Sequence, residues 1–210
     1  KYEVILNKYY EYDQEIYQSI HLLKEKINSS RDLKNYSEDI KNLERKITIF
    51  HAKLTIEILK KNEIDLVGFH GQTILHNSEE RISRQLGDGN LLSQLTKKNI
   101  VYDFRQNDIK NGGEGAPLTP IFHQLILKQN KIEVPSCILN IGGISNITIV
   151  KNYFPFDFTS RDIGPGNCLI DSWVRKNSNQ KFDKDGKLAS IGKTNEIILE
   201  QAQELYSNRP

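Results

Sequence analysis

The sequence predicts an α/β domain, and three observations carry that prediction. Residues 12–61 mix apolar and charged side chains at the period of amphipathic helix. From residue 64 onward, short β-rich runs are separated by glycine turns. Two helical stretches fall among those runs, and strands alternating with helices build an α/β architecture.

Taken in order, the elements are these. In the second half of 12–61, Ile40, Leu43, Ile47, Phe50, Leu54 and Ile58 recur at spacings of three and four, the stripe of a helix lying on a core. Ser37 is the expected N-cap, preceded by a polar linker, "NSSRDLKNY" (28–36). The runs "IDLVGF" (64–69), "NIVYDF" (99–104), "SCILNI" (136–141) and "NITIV" (146–150) are strand candidates. "PLTPIFHQLILKQ" (117–129) and "NCLIDSWVRK" (167–176) are helix candidates, with Pro117 suited to a first helical turn.

Composition narrows the function. The chain has 210 residues, 37% of them hydrophobic, enough for a substantial core. Its 29 basic and 27 acidic residues give a net charge of only +2, and they are scattered rather than clustered, which argues against a nucleic-acid partner. No apolar run approaches the ~20 residues that a membrane span needs, so no membrane partner is expected. Two cysteines, Cys137 and Cys168, read as reduced thiols of a cytoplasmic protein. With no methionine in the chain, the expectation is a processed, cut or internal piece.

The glycines hold most of the functional information. They gather in "GFHGQT" (68–73), "LGDGN" (86–90), "NGGEGAPL" (111–118), "NIGGISN" (140–146) and "DIGPGN" (162–167), each at or near the end of a strand candidate. An ordinary tight turn explains any one of them. Five at successive strand ends point to a ligand crevice, which in open α/β sheets lies there. The Gly142-Gly143 pair predicts a hairpin whose amides face an anion, and "DIGPGN" predicts free amides at a helix N-terminus. Asp88, Asp103, Asp108 and Asp162 lie in or beside these loops, and spacing does not choose among them as turn formers or as a general base. His70, His76 and His123 have no metal-ligand spacing; His123, among apolar residues on a helix candidate, reads as a satisfied, half-buried side chain. No side-chain metal site is expected.

The ordered set "FHGQTILH", "QLGDGN", "VYDFRQNDIKNGGEGAPLTPIFH", "LNIGGISNIT" and "DIGPGNCLIDSW" resembles the 1,6-anhydro-N-acetylmuramic acid kinases of bacterial cell-wall recycling, over roughly residues 40–192. The resemblance implies the two-lobed actin, sugar-kinase and heat-shock ATPase fold. Residues 1–135 would be a first lobe lacking its N-terminal phosphate loop, and 136–210 the start of an incomplete second lobe. It implies ATP with Mg2+, a small amino sugar as substrate, and hydrolytic opening of the anhydro bond with phosphorylation of O6. Asp162 opens the motif that holds the family's catalytic base. Gly142, Gly143 and Asn146 match its second phosphate hairpin, with Gly164 and Gly166 also beside the nucleotide. Gln72, Thr73, Asp103, Arg105 and Gly113 match residues lining the sugar cleft, where an arginine is suited to a lactyl carboxylate. A homodimer is left open.

Departures from the family pattern shape further expectations. Ile163 stands where Thr or Cys is usual, Arg161 replaces an aromatic residue, and Glu114 a glutamine. Arg161 is expected to pair with Asp162 and weaken it as a base. The family's "MSGTS"-type first loop and its distant adenosine-binding segment have no counterpart in this sequence. The chain therefore reads either as the central portion of a working kinase or as a truncated, non-catalytic product that at best binds the sugar. On its own it is expected to show little or no kinase activity.

Overall fold

The computed structural model describes residues 2–155 and 157–207, so residues 1 and 208–210 at the ends of the two expected lobes, and Phe156, lie outside the described residues. The chain divides into two compact units, residues 1–121 and 122–210. The expected lobe boundary lay at 135/136.

The first unit is built on two long helices. Helix α1 (Gln14–Lys26) starts where the Asp13 carboxylate accepts the Ile16 N–H at 2.8 Å, a side-chain N-cap. It buries Ile16, Ile20 and Leu23, one face at helical spacing. The expected linker after it holds a short helix, α2 (Ser30–Asn35). Asp32 is the cause: its carboxylate accepts from the Asn28 and Ser29 amides at 3.0 Å and from Ser29 Oγ at 2.8 Å. The Ser29 hydroxyl and the Asn28 amide hold that carboxyl below the usual carboxylate range. Tyr36 closes α2 and is also the N-cap of α3 (Ser37–Leu59), so Ser37 is the first helical residue of α3 and not its cap.

Ile40, Leu43 and Ile47 of α3 are buried with α1, as their spacing predicts, while Phe50 is only partly buried at the edge of the same cluster. Beyond α3, β1 (Leu66–Phe69) pairs in parallel with β4 (Asn99–Tyr102). A parallel pair needs a long crossover, here an antiparallel hairpin, β2 (Gln72–Asn77) with β3 (Ile82–Leu86), followed by α4 (Gly89–Thr96). Ile74, Leu75 and Leu86 from the hairpin fill the α1–α3 core. Gly71, at φ +70°, turns the chain into β2; a Cβ there would lie 2.3 Å from the Leu86 carbonyl oxygen, so only glycine fits. After β4 the chain enters an unexpected helix, α5 (Phe104–Lys110). Among the described residues no helix is long and apolar enough to cross a membrane.

His51 of α3 sits in an aromatic cluster, its ring centroid 5.8 Å from those of Tyr12 and Phe50 and 5.1 Å from Phe69. Tyr12 Oη and His51 Nε2 share a hydrogen bond of 2.9 Å. Burial lowers the imidazole pKa and raises that of the phenol. Both groups are thus neutral in the folded state where their unfolded forms would ionise. Stability should fall as pH drops below about 6.5, where unfolded histidines take up protons, levelling off below the folded value of His51. At the alkaline end it should fall above about 10, where unfolded tyrosines ionise. Urea midpoints at pH 5 and pH 8 check the acid limb, and His51→Gln should make it shallower.

The second unit is built on a three-stranded antiparallel sheet with helices before and after it in the chain. Helix α6 begins at Pro120, not Pro117, and runs Pro120–Gln129. It belongs with this unit because Gln124 is buried and donates from Nε2 to the Asn152 carbonyl at 2.9 Å. Strands β5 (Ser136–Ile141), β6 (Ile144–Asn152) and β7 (Asp157–Pro165) follow in spatial as well as chain order. Helix α7 (Cys168–Asn177), a 3-10 turn (Lys184–Gly186), α8 (Lys187–Ile191) and α9 (Glu196–Ser207) complete it. Val150, Thr148 and Val174 are its most deeply buried side chains besides Gln124. As expected, His123 is half-buried and satisfied, its Nδ1 lying 2.9 Å from Thr148 Oγ1.

Candidate active site

In the first unit two of the glycine turns, at 68–73 and 86–90, meet at a cleft of about 240 Å³, lined by Glu44, His70, Arg84, Gly87, Asp88 and Asp103, among others. Two residues one helical turn apart on α3 hold its wall. Glu44 Oε1 accepts from the Gly87 amide at 3.0 Å and from Arg84 Nη2 at 2.9 Å. Thr48 Oγ1 accepts from the Asp88 amide at 3.0 Å. The half-buried Gly87 and Asp88 amides are thereby satisfied by side chains. Glu44 and Thr48 escaped the sequence reading, although the signal was there: both are polar beside the apolar stripe of α3.

The four candidate aspartates separate in the structure. Asp88 is the N-cap of α4, accepting the Leu91 amide at 2.9 Å. Asp108 closes the glycine loop, accepting the Gly115 amide at 2.8 Å. Gly113 packs on that carboxylate, where a Cβ would lie 2.2 Å from Asp108 Oδ2. Asp103 is exposed at the end of β4, in the left-handed region at φ 59°. Gln72 and Thr73 lie in strand β2, not in a turn; Gln72 Nε2 donates to the Thr73 carbonyl, and Thr73 Oγ1 accepts from Gln85 Nε2, each at 3.3 Å. Arg105 donates to His70 Nε2 at 3.3 Å, and burial lowers its guanidinium pKa.

In the second unit the structure brings Gly142, Gly143, Asn146, Asp162, Gly164 and Gly166 to one end of the sheet. Gly142 and Gly143 turn β5 into β6, the predicted hairpin. Asn146 stands directly across from Asp162, and Ser145 across from Gly164, with Ile163 the extra residue of a bulge between them. The "DIGPGN" stretch is not the free helix N-terminus expected of it: residues through Pro165 belong to β7. The next three amides are committed to the hairpin. Gly166 and Cys168 donate to the Gly143 carbonyl at 2.9 and 3.2 Å, and Asn167 to that of Gly142 at 2.7 Å. Any anion at this end must therefore meet the diglycine loop itself, and a Cβ on Gly143 would touch nothing within 4 Å.

Arg161 and Asp162 are neighbours on a strand and point to opposite faces. The expected ion pair between them is absent among the described residues, and the Asp162 carboxylate is exposed with no hydrogen bond there. Ile163 and Glu114 are exposed as well. Among the described residues no three acidic, histidine or cysteine side chains cluster as a metal site.

A model of the anhydro-N-acetylmuramic acid kinase family matches residues 2–210. The chain belongs to the anhydro-N-acetylmuramic acid kinase family. It is 57% identical over 209 residues to the anhydro-N-acetylmuramic acid kinase of Pelagibacter ubique, an alignment spanning 99% of this chain and 56% of that protein. The Bradyrhizobium diazoefficiens kinase is 39% identical over 147 residues, spanning 70% of this chain and 40% of the relative. The Legionella pneumophila (strain Corby) kinase is 45% identical over 141 residues, spanning 66% and 37%. The alignments thus span 37–56% of the length of these three relatives. Each of these relatives is named as a kinase of anhydro-N-acetylmuramic acid.

Proposed function

We propose that this chain carries the catalytic base and a phosphate-binding hairpin of a cytoplasmic ATP-dependent kinase that opens 1,6-anhydro-N-acetylmuramic acid and phosphorylates its O6. The register of β6 and β7 carries the reading: it sets an exposed carboxylate, Asp162, uncommitted among the described residues, opposite Asn146 and at the same sheet end as the open diglycine loop. Asp162 takes a proton from water as the water oxygen attacks the anomeric carbon. The bond from that carbon to O6 breaks, and O6 displaces ADP from the γ-phosphorus of ATP. The products are N-acetylmuramic acid 6-phosphate and ADP, with one proton released through Asp162.

The amides of Gly142 and Gly143 meet phosphate oxygens in this reading, as preorganised donors, with Asn146 and the Gly164 and Gly166 backbone beside them. Mg2+ takes most of its ligands from phosphate and water, so it asks for no side-chain cluster of this chain. The first-unit cleft is smaller than the roughly 300–1,000 Å³ of pockets for drug-sized ligands, which suits one sugar ring rather than a nucleotide. Asp103 lines that cleft and Arg105 adjoins it through His70; in this reading both meet the sugar, while Gln72, Thr73 and Gly113 act through the backbone they hold. The two compact units, residues 1–121 and 122–210, then correspond to the first and second lobes. The free thiols Cys137 and Cys168 fit a reducing compartment.

Thermal-shift titrations test this. Each ligand bound at 100 times its Kd should add about 2.7 kcal/mol of stability. Gly143→Ala should leave the unfolding temperature unchanged, because its Cβ enters open space, yet weaken ATP binding by crowding the phosphate. Failure of both ATP with Mg2+ and the anhydro sugar to stabilise the protein would refute the reading; equal ATP affinity in Gly143→Ala would remove the hairpin from it.

A further inference from the structure

We infer that His70 is a positioning residue: as a neutral imidazole protonated at Nδ1, it holds the Arg105 guanidinium for a carboxylate-bearing ligand. The hydrogen bonds dictate the tautomer. His70 Nδ1 lies 3.0 Å from the Gly71 carbonyl oxygen, which only accepts, so Nδ1 carries the proton. His70 Nε2 lies 3.3 Å from Arg105 Nη2, which only donates, so Nε2 is the bare acceptor. One neutral form satisfies both contacts. The imidazolium and the other tautomer would each set an N–H against the guanidinium.

The two arginines near this cleft differ in what they lack. Arg84 is neutralised by Glu44 at 2.9 Å and donates from Nη1 to the Gln85 carbonyl at 2.7 Å. Arg105 has no acidic partner among the described residues, and burial already disfavours its charge. A partly desolvated cation without a counter-ion gains most from an incoming anion, and a guanidinium meets a carboxylate through two parallel N–H bonds. Contact with His70 uses one of its five N–H donors and fixes the plane of the fork, leaving the others for the ligand. Gly71, which only glycine can occupy, sets the carbonyl that orients the ring, so Arg105 is linked through His70 to the backbone. This inference rests on the sugar-binding reading for the identity of the anion, the carboxylate of the muramic acid substituent, but not for the tautomer.

Two measurements on the full chain decide it. Imidazole 15N spectra should show His70 as the Nδ1–H tautomer, with its Nε2 resonance moving in Arg105→Gln. An Nε2–H tautomer, or a resonance indifferent to Arg105→Gln, overturns the inference whatever the protein binds. Calorimetric titration with 1,6-anhydro-N-acetylmuramic acid and with 1,6-anhydro-N-acetylglucosamine, which lacks the carboxylate, gives the second readout. His70→Leu should weaken the acidic sugar roughly tenfold, the size of one hydrogen bond, and leave the neutral sugar unchanged. His70→Gln, whose side-chain oxygen can accept from Arg105, should restore the acidic sugar's affinity. Equal losses for both sugars, or none in His70→Leu, refute the positioning role. If the unaltered protein binds neither sugar, the kinase reading falls and the spectra alone decide the inference.

Discussion

If the proposed kinase reaction runs through Asp162, Asp162→Asn is expected to lower turnover by at least about 10²–10⁴-fold, the usual contribution of a positioned base, while sugar affinity and unfolding temperature stay unchanged. The amide matches the carboxylate in shape and removes only its ability to take a proton. No fold contact is lost, because the Asp162 side chain is exposed and makes no hydrogen bond or ion pair among the described residues. Its position is a property of the backbone, set by pairing with Asn146. A turnover assay run beside a sugar titration separates the steps. Unchanged turnover in Asp162→Asn would transfer the role to another group, and Asp103, the other exposed candidate, would be next.

Gly166→Ala should instead cost stability, by about 3 kcal/mol or more once overpacking and lost hydrogen bonds are combined. A Cβ on Gly166 would lie 2.2 Å from the Gly142 carbonyl oxygen and 2.9 Å from Ser145 Oγ. Ser145 is buried and the carbonyl belongs to the hairpin, so neither yields cheaply. Relief by moving the chain would break the three bonds that tie residues 166–168 to Gly142 and Gly143. Denaturant unfolding of Gly166→Ala against Gly143→Ala measures the difference directly. The two glycines lie in the same assembly, and only one is packed against it. Equal midpoints would mean that the hairpin is not latched to the start of α7.

Much of the fold was legible in the sequence. The stripe Ile40, Leu43 and Ile47 is buried as its period predicts, and "SCILNI" is strand β5 from its first residue to its last. The β2–β3 hairpin was hidden because Gln72, Thr73, His76 and Asn77 make a strand that reads as a polar turn. It forms because Ile74, Leu75 and Leu86 complete a core supplied mostly by α1 and α3. Helix α5 was hidden behind Asp103, whose left-handed backbone lets the chain leave β4 and turn at once into helix. Helix α2 depended on one carboxylate, Asp32, gathering three donors.

The sequence by itself determined the α/β class, the chemistry-bearing residue types at the strand ends, and, through the ordered motifs, the kinase family. Only the tertiary structure decided what each polar group was committed to. Asp88 and Asp108 spend their carboxylates on the amides of Leu91 and Gly115, whereas among the described residues Asp162 keeps its own free. Spacing along the chain could not rank them, because a carboxylate is claimed by whichever donor lies within about 3 Å of it. That proximity is set by loop conformation, sheet register and long-range packing, beyond the reach of residue spacing.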